Sequence, residues 1–308
     1  MIESRYIYGP VPSRRLGISL GISPIPKKTC NYSCIYCQLG RTDKMVYSRE
    51  MFVRIDDILD EFEKTKDKVR DFDAVTIVGE GEPTLYLGLG KLIRGLKDRT
   101  DKPVAVITNG ALLSDPEVRE ELMAADIVLP SADAWDKESF RKINRPIGLL
   151  NYWEVRSGLV EFSKNYEGQL WLEIMLMKGI NDSHETLQRY RELLKEIRYV
   201  RLYINTPVRP PAEDFVRYLD REDMERAEEI LGGTSIDLLV SEGFQSVVED
   251  DLEAVVGIIK RHPMNRFEIE GFLAKRGTVG SGSLLEMLVS DARVETLHYK
   301  GIDTYRLK

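Results

Sequence analysis

The sequence predicts an α/β fold built around a parallel β-sheet. Short apolar runs alternate with amphipathic stretches along most of the chain, which is typical of buried strands connected by surface helices. The 308 residues are enough for one large domain and a small appendage, and the hydrophobic fraction of 43% is ordinary for a globular protein. Because each strand is followed by a helix, the connections are expected to be right-handed crossovers between parallel strands.

The predicted elements follow one another in a regular order. Residues 6–28 are rich in Gly, Pro and Arg, so extended chain and turns are expected there rather than a helix. Beyond this segment, helical periodicity and β-branched apolar runs separate the two element types. The predicted helices cover 55–69, 89–99, a segment opened by Asp115 and Pro116, 137–142, 152–162, 184–196 and 221–231, and the predicted strands cover 74–78, 104–108, 127–129, 170–176 and 199–204.

The last part of the chain has a different pattern. From residue 247 the sequence predicts three helices and then two strands joined around Lys300 and Gly301, an order that resembles a winged helix. Two domains are therefore expected, 1–246 and 247–308. The third helix carries Glu286 and no basic residue. The whole segment contains nine basic and ten acidic residues. DNA binding is thus disfavoured, and a packing or partner-docking role is favoured.

Charge and hydropathy exclude other classes of protein. The formal net charge of −7 gives no overall attraction for nucleic acid or anionic lipid. No segment approaches the roughly 18 apolar residues of a membrane span, and the N-terminus lacks the apolar core of a signal peptide. The expected location is the cytoplasm, where thiols remain reduced.

All three cysteines of the chain, Cys30, Cys34 and Cys37, fall within eight positions. Such clustering indicates ligands of one soft-metal centre, and three thiolates can hold three irons of an iron–sulfur cube while one iron remains open. A zinc site is the main alternative, but its fourth ligand would have to be one of three distant histidines. A disulfide would use two of the three cysteines and leave the third thiol unpaired.

The spacing C-x3-C-x2-C, with the aromatic Tyr36 before the last cysteine, resembles the motif of the radical S-adenosylmethionine (SAM) enzymes. The resemblance implies an open (β/α)6 partial barrel and a [4Fe-4S] cluster whose open iron chelates the methionine part of SAM. It also implies an electron donor such as ferredoxin or flavodoxin. In that family one electron cleaves a sulfonium C–S bond, usually giving a 5′-deoxyadenosyl radical that takes a hydrogen atom from the substrate.

A closer resemblance lies in the segment P-V-P-S-R-R-L-G that ends at Gly17. It is similar to an uncharacterised subgroup of radical SAM proteins whose core is related to the tRNA wybutosine-synthesis (4-demethylwyosine synthase) enzymes. Those enzymes use further cysteines for a second cluster, and this chain has none to spare, so their reaction is not expected here. The substrate stays open among small molecules, proteins and RNA.

The ends of the predicted strands carry the residues that the resemblance assigns to SAM. The segment Gly79-Glu80-Gly81-Glu82-Pro83 is similar to the family's G-G-E-P segment, which binds the amino group of SAM. Glu80 stands where a small residue is usual and is expected to face solvent or to contact the substrate. The complete expected SAM set is Tyr36, Gly81, Glu82, Thr108, Asn109, Ser131, Asp133 and Glu173.

Two parts of this set have ordinary alternatives. Asn109 and Gly110 also make simple turns, and Ser131 and Asp133 can cap a helix that begins near Asp136. The expected substrate contacts are Arg14, Arg15, Asn205 and Arg209, because arginine forks bind carboxylate and phosphate. The open alternatives are a solvated pair for the first two residues and simple loop structure for the other two.

The expected function is thus a radical SAM enzyme with one cluster, acting on an unidentified substrate; no catalytic residue is assigned. Two alternatives remain from the sequence. One is an RNA-modifying radical SAM enzyme that docks RNA through the C-terminal unit, and the other is an iron–sulfur redox-sensing regulator.

Overall fold

The computed structural model describes residues 5–69, 72–236, 244–278 and 281–308. The strands, in chain order, are β1 (Ile7–Ser13), β2 (Gly17–Ile22), β3 (Thr29–Cys30), β4 (Lys44–Met45), β5 (Ala74–Ile77), β6 (Val104–Thr108), β7 (Ile127–Pro130), β8 (Gln169–Met175), β9 (Arg201–Asn205), β10 (Thr234–Ser235), β11 (Met264–Asn265), β12 (Val294–Tyr299) and β13 (Ile302–Leu307). The helices are α1 (Ile55–Lys66), α2 (Leu89–Lys97), α3 (Pro116–Leu122), α4 (Lys137–Ser139), α5 (Tyr152–Asn165), α6 (His184–Leu194), α7 (Arg221–Leu231), α8 (Asp251–Ile259), α9 (Arg266–Arg276) and α10 (Ser281–Ser290).

An eight-stranded sheet in the order β1-β2-β5-β6-β7-β8-β9-β10 forms the centre of the molecule. All neighbours from β2 to β10 are parallel, and β1 pairs antiparallel with β2 at the edge. The predicted α/β class with a parallel sheet is therefore confirmed. The segment predicted only as extended chain and turns is the β1–β2 hairpin followed by the cysteine-bearing loop.

Side chains alternate between the two faces of the sheet because the strand period is two. One face packs under the helices and contains residues such as Ile22, Val106 and Ile174. The opposite face contributes a smaller cluster in which Trp171 and Tyr203 meet edge to face at 5.9 Å. Since no helix residue of the described part of the chain takes part in this smaller cluster, this face of the sheet is left to line a site.

The helix predicted at 137–142 begins where expected but changes type. Its first turn, α4, is held by Asp136, whose carboxylate accepts from the backbone N–H of Ser139 at 2.7 Å. The chain continues as a π-helical turn, Phe140–Asn144, and Arg145 then adopts a left-handed conformation. This wider turn places Asn144 beside the cysteine loop.

The C-terminal elements match the predicted order. Three helices, α8, α9 and α10, precede the hairpin β12–β13, and β13 also pairs with the short strand β11. Their side chains form a separate hydrophobic core that includes Val11 of β1. The boundary at residue 247 and the winged-helix assignment stay predictions. In the part of the chain that the structure describes, no helix is both long and apolar enough to cross a membrane.

Candidate active site at the open end of the sheet

The cysteine loop lies at the carboxyl ends of the parallel strands. Cys30 ends β3, and the backbone N–H of Cys37 donates to the carbonyl of Cys34 at 3.1 Å, which closes a tight turn. All three cysteines are partly buried and line one cavity of about 310 Å³. The structure thus brings together the three residues that the sequence singles out as metal ligands.

The three thiols share one cavity, and an iron–sulfur cube is held by thiolates that each bind a different iron. Three thiolates can hold three of the four irons of such a cube. The donor set therefore fits a cluster.

Two asparagine amides point at the cysteine sulfurs. The Nδ2 atom of Asn109 lies 3.6 Å from Sγ of Cys30, and Nδ2 of Asn144 lies 3.6 Å from Sγ of Cys34. N–H donors of this kind stabilise a thiolate and tune a cluster that the thiolate holds. Asn144 was not predicted, because only the π-helical turn brings it to the site and that turn has no signal in the sequence.

The unliganded thiols are held in their protonated form. Burial, followed by the charge of Glu82, raises the pKa of Cys30 to about 12. Burial, followed by Asp133, raises the pKa of Cys34 well above its ordinary value, and burial also raises the pKa of Cys37. Metal binding must therefore displace these protons.

Glu82 is a buried carboxylate surrounded by neutral donors. Its oxygens accept from the N–H and hydroxyl of Thr84 at 3.0 and 2.7 Å, the hydroxyl of Thr108 at 2.6 Å and the N–H of Asn109 at 2.7 Å. Burial raises its pKa although all these bonds lower it. No cation pairs with Glu82 among the described residues, so an ammonium ligand would find a prepared partner here.

Asp133 forms the second buried carboxylate of the site. It accepts from the hydroxyl of Tyr36, from the N–H of Met175 at 2.9 Å and from Nδ2 of Asn144 at 3.4 Å. Burial raises its pKa to about 6 against these hydrogen bonds. The helix-capping alternative is wrong for Asp133, because Asp136 itself caps α4.

The glycine-rich segment after β5 is packed against the cysteine strand. The N–H of Glu82 donates to the carbonyl of Thr29 at 3.1 Å, and a Cβ on Gly81 would lie 1.7 Å from the same oxygen. Only glycine permits this close approach. Gly81 thereby fixes the distance between Glu82 and Cys30.

The expectation that Glu80 faces solvent was wrong, whereas contact with the substrate stays a prediction, since Glu80 lines the cavity that contains the cysteines. Its side chain is only 3% exposed and its Oε2 atom pairs with Arg261 at 3.3 Å and Lys260 at 3.5 Å, both at the end of α8. A buried carboxylate requires such partners. Glu80 therefore joins the glycine-rich segment to the C-terminal unit instead of facing solvent.

Ser131, directly after β7, and Glu173 in β8 lie side by side through a parallel bridge. The Glu173 carboxylate is ion-paired with Arg15 and lies 3.5 Å from Nδ2 of Asn205. Arg209 does not line the cavity that contains the cysteines. It forms an ion pair with Glu268 of α9, in which Nη2 of Arg209 lies 2.7 Å from Oε1 of Glu268. The structure thus groups Arg15, Asn205 and Glu173, and places Arg209 at the junction with the C-terminal unit.

The C-terminal unit contributes Arg261 and His262 to the cavity wall. Neither was predicted, because nothing in residues 247–308 distinguishes them from an ordinary helix end. Nε2 of His262 lies 3.0 Å from Nη2 of Arg209. Burial and then the charge of Arg209 lower the pKa of His262 to about 3.

Acid is therefore expected to weaken the fold through His262. Its folded pKa lies below the unfolded value of about 6.5, so the unfolded state takes up the proton first and stability falls as the pH drops through that range. The groups facing the ring are Arg209, Glu268, Arg14 and Arg15, with the ring of Phe244 at 5.3 Å. Between pH 7 and 5, His262→Gln should lose about 1–2 kcal/mol less unfolding free energy than the wild type in urea titrations. Equal slopes for His262→Gln and the wild type would contradict the buried-imidazole account.

Known proteins share both sequence and fold with this chain. A family model described as the Radical SAM superfamily matches residues 25–190. Over 305 residues the chain is 36% identical to a UPF0026 protein of Methanocaldococcus jannaschii, and the alignment covers 96% of this chain and 93% of that protein. The chain is also 40% identical, over 74% of its length, to a protein of Brachyspira hyodysenteriae named GTPase Obg, of which it spans only 33%.

The structural comparison points to the same fold. A radical SAM methyltransferase from Sphaerobacter thermophilus superposes with a TM-score of 0.55 at 15% identity, covering 73% of this chain and 70% of that one. At this identity the likeness concerns the fold alone.

Proposed function

Because this chain belongs to the radical SAM superfamily, we propose that it reductively cleaves SAM at a single [4Fe-4S] cluster held by Cys30, Cys34 and Cys37. The observation that supports the proposal most directly is the shared cavity of the three thiols, which are also the only cysteines of the chain. When bound, the cluster supplies the single electron that breaks a C–S bond of SAM. The electron comes in turn from a donor protein such as a ferredoxin or flavodoxin.

The buried carboxylates account for binding and orientation. Glu82 lacks a cationic partner among the described residues and is proposed to receive the ammonium of SAM, while its four neutral donors keep the carboxylate in place. Asp133 holds the hydroxyl of Tyr36 and the amide of Asn144, which in turn contacts Cys34. The chain thereby connects the proposed SAM pocket to a cluster ligand through hydrogen bonds.

The remaining expected SAM contacts lie on neighbouring strands. Thr108 ends β6 and Asn109 follows it, Ser131 follows β7, and Glu173 lies in β8. Because these strands are adjacent and parallel, their carboxyl ends meet at one edge of the sheet. Their proposed role is to bind the ribose and methionine groups of SAM.

Anaerobic reconstitution tests the proposal. The chain should bind about four iron and four sulfide per molecule and, after reduction by dithionite, should convert SAM to 5′-deoxyadenosine. Protein reconstituted with zinc provides the control and should release none. A fully loaded cluster that leaves SAM intact would refute the proposed function.

The regulator alternative receives little support from α10. Its exposed positions include Glu286, Met287 and Val289, and none of the positions described there is basic. A helix that reads DNA needs cations near the phosphates. A DNA-binding role for this unit is therefore not proposed.

A further inference from the structure

Two cations from distant parts of the chain lie against the turn that follows Cys37. The backbone N–H of Gly40 donates to the carbonyl of Cys37 at 3.1 Å and closes this turn. A Cβ added at Gly40 would lie 3.6 Å from Nη2 of Arg306 and 3.7 Å from Nζ of Lys28. Both positive groups therefore pack against the backbone that follows the last proposed cluster ligand.

Arg306 reaches this turn from β13 and is only partly neutralised. Its side chain is 13% exposed, and its Nε atom lies 2.9 Å from Oε2 of Glu295 on the neighbouring strand β12. Nη1 of Arg306 is buried and has no hydrogen-bond partner among the described residues. The carboxylate thus contacts one edge of the guanidinium, whereas Nη2 lies against the cysteine loop. A buried donor that lacks a partner is costly and calls for a functional explanation.

Lys28 also keeps its charge beside the loop. Its side chain is 15% exposed, and it lines the cavity together with Cys37 and Gly40. Nζ of Lys28 lies 3.8 Å from Oδ1 of Asp43, whose side chain is 68% exposed. A carboxylate at that distance and that exposure is screened by water, so it neutralises the ammonium only weakly.

The charge of both groups acts on Cys37. Burial raises the pKa of Cys37, whereas a backbone hydrogen bond from Leu39 and then the charges of Arg306 and Lys28 lower that pKa. At the other two cysteines the leading charged neighbour is a carboxylate, which raises the thiol pKa further after burial. The two cations therefore act on one side of the proposed cluster, the side of Cys37.

We propose that Arg306 and Lys28 stabilise the reduced form of the cluster and thereby raise its reduction potential. The proposal rests on the proposed function, because it requires the cluster that Cys37 is proposed to hold. Reduction brings in one electron, supplied by the donor protein or by dithionite, and makes the site more negative by one charge. A fixed cation nearby favours that state, and net charge is one of the quantities that set the potential of an iron–sulfur cluster. The C-terminal unit thereby takes part in electron uptake, because Arg306 comes from its hairpin.

The reduction potential of the reconstituted full-length protein tests the proposal. It is measured without SAM, by reductive titration with dithionite followed through the electron paramagnetic resonance signal of the reduced cluster. Arg306→Met should lower the equilibrium constant for one-electron reduction about tenfold, which corresponds to about 59 mV. Lys28→Met should shift the potential in the same direction. Because the potential describes assembled clusters only, incomplete iron loading does not change it.

Three further variants separate the charge of Arg306 from its packing. Arg306→Lys keeps the charge and should have the wild-type potential. Glu295→Gln keeps Arg306 but removes the carboxylate that pairs with it, so the potential should rise. The matched control is Arg119→Met, because Arg119 of α3 is also 13% exposed and pairs with Glu161 at 3.0 Å but does not line the cavity. Its potential should equal that of the wild type.

Several results would overturn the proposal. One is a wild-type potential in Arg306→Met or Lys28→Met, and another is a potential of Arg306→Lys as low as that of Arg306→Met. A fall in Glu295→Gln, or an equal shift in Arg119→Met, would show that the charge beside Cys37 is not the cause.

Failure of the proposed function is recognised separately on the same preparations. A wild type that assembles no cluster refutes both proposals. A cluster whose potential falls in Arg306→Met but that leaves SAM intact refutes the proposed function only.

Discussion

Cys34→Ala is expected to abolish SAM cleavage and to prevent assembly of a complete cluster. Cys34 is one of only three cysteines, so no other thiol in the chain can replace it. Loss of a residue that merely supports a metal ligand costs about 10–100-fold in metal affinity or activity, and loss of the ligand itself should exceed that. Iron and sulfide analysis, together with release of 5′-deoxyadenosine, measures the effect.

The fold should survive this substitution, which makes the result interpretable. The substitution removes only a sulfur atom, and it removes a thiol whose pKa is raised by burial and then by the charge of Asp133. The urea midpoint of the unreconstituted variant should stay close to that of the wild type. Full iron loading and normal SAM cleavage in Cys34→Ala would show that the metal ligands lie elsewhere.

The parallel sheet could be predicted because its strands are buried on both faces. Val104–Thr108 and Ile127–Pro130 are nearly continuous apolar runs, a pattern that depends on local sequence alone. Element ends were less certain, and the π-helical turn Phe140–Asn144 was missed altogether. It depends on packing against the cysteine loop, where the backbone carbonyls of Asn144 and Ile143 accept from Ser33 and Ile35.

Some residues of the site could likewise be predicted from local sequence, and others could not. The cysteines and Glu82 belong to short motifs, so spacing along the chain was sufficient to select them. Arg261 and His262 line the cavity and lie more than 200 residues away from Arg14 and Arg15 in the sequence. No local pattern encodes that meeting, because it results from docking of the C-terminal core on β1.

Glu80 illustrates how a motif can mislead. Its departure from the family pattern suggested a solvent-facing or substrate-contacting side chain, and the solvent-facing alternative fails because the buried carboxylate pairs with Arg261. Arg261 lies two residues beyond the end of α8, and the segment 79–83 contains no information about so distant a cation. Sequence reasoning therefore identified the unusual residue but not its ion-pair partner.

Gly81→Ala is expected to destabilise the protein by about 3–5 kcal/mol, the range that severe steric strain reaches. The added Cβ would lie 1.7 Å from the carbonyl oxygen of Thr29 and 2.8 Å from Cγ2 of Ile25. Backbone atoms cannot rotate away as a flexible side chain can, so β3 and the attached Cys30 must move. Urea denaturation measures the loss of stability, and iron content after reconstitution should fall because one ligand is displaced.

Gly148→Ala and Gly271→Ala are the matched controls, since a Cβ at either position meets nothing within 4 Å. Gly148→Ala should change stability by less than about 0.5 kcal/mol, and Gly271→Ala, within α9, should stabilise by about 0.5–1 kcal/mol. Both should load iron like the wild type. If Gly81→Ala unfolded at the wild-type urea concentration and bound iron normally, the contact between the glycine-rich segment and β3 would not set the position of Cys30. The close approach of these two backbones, which joins Glu82 to the cysteine loop, is thus the steric feature on which the geometry of the proposed site depends.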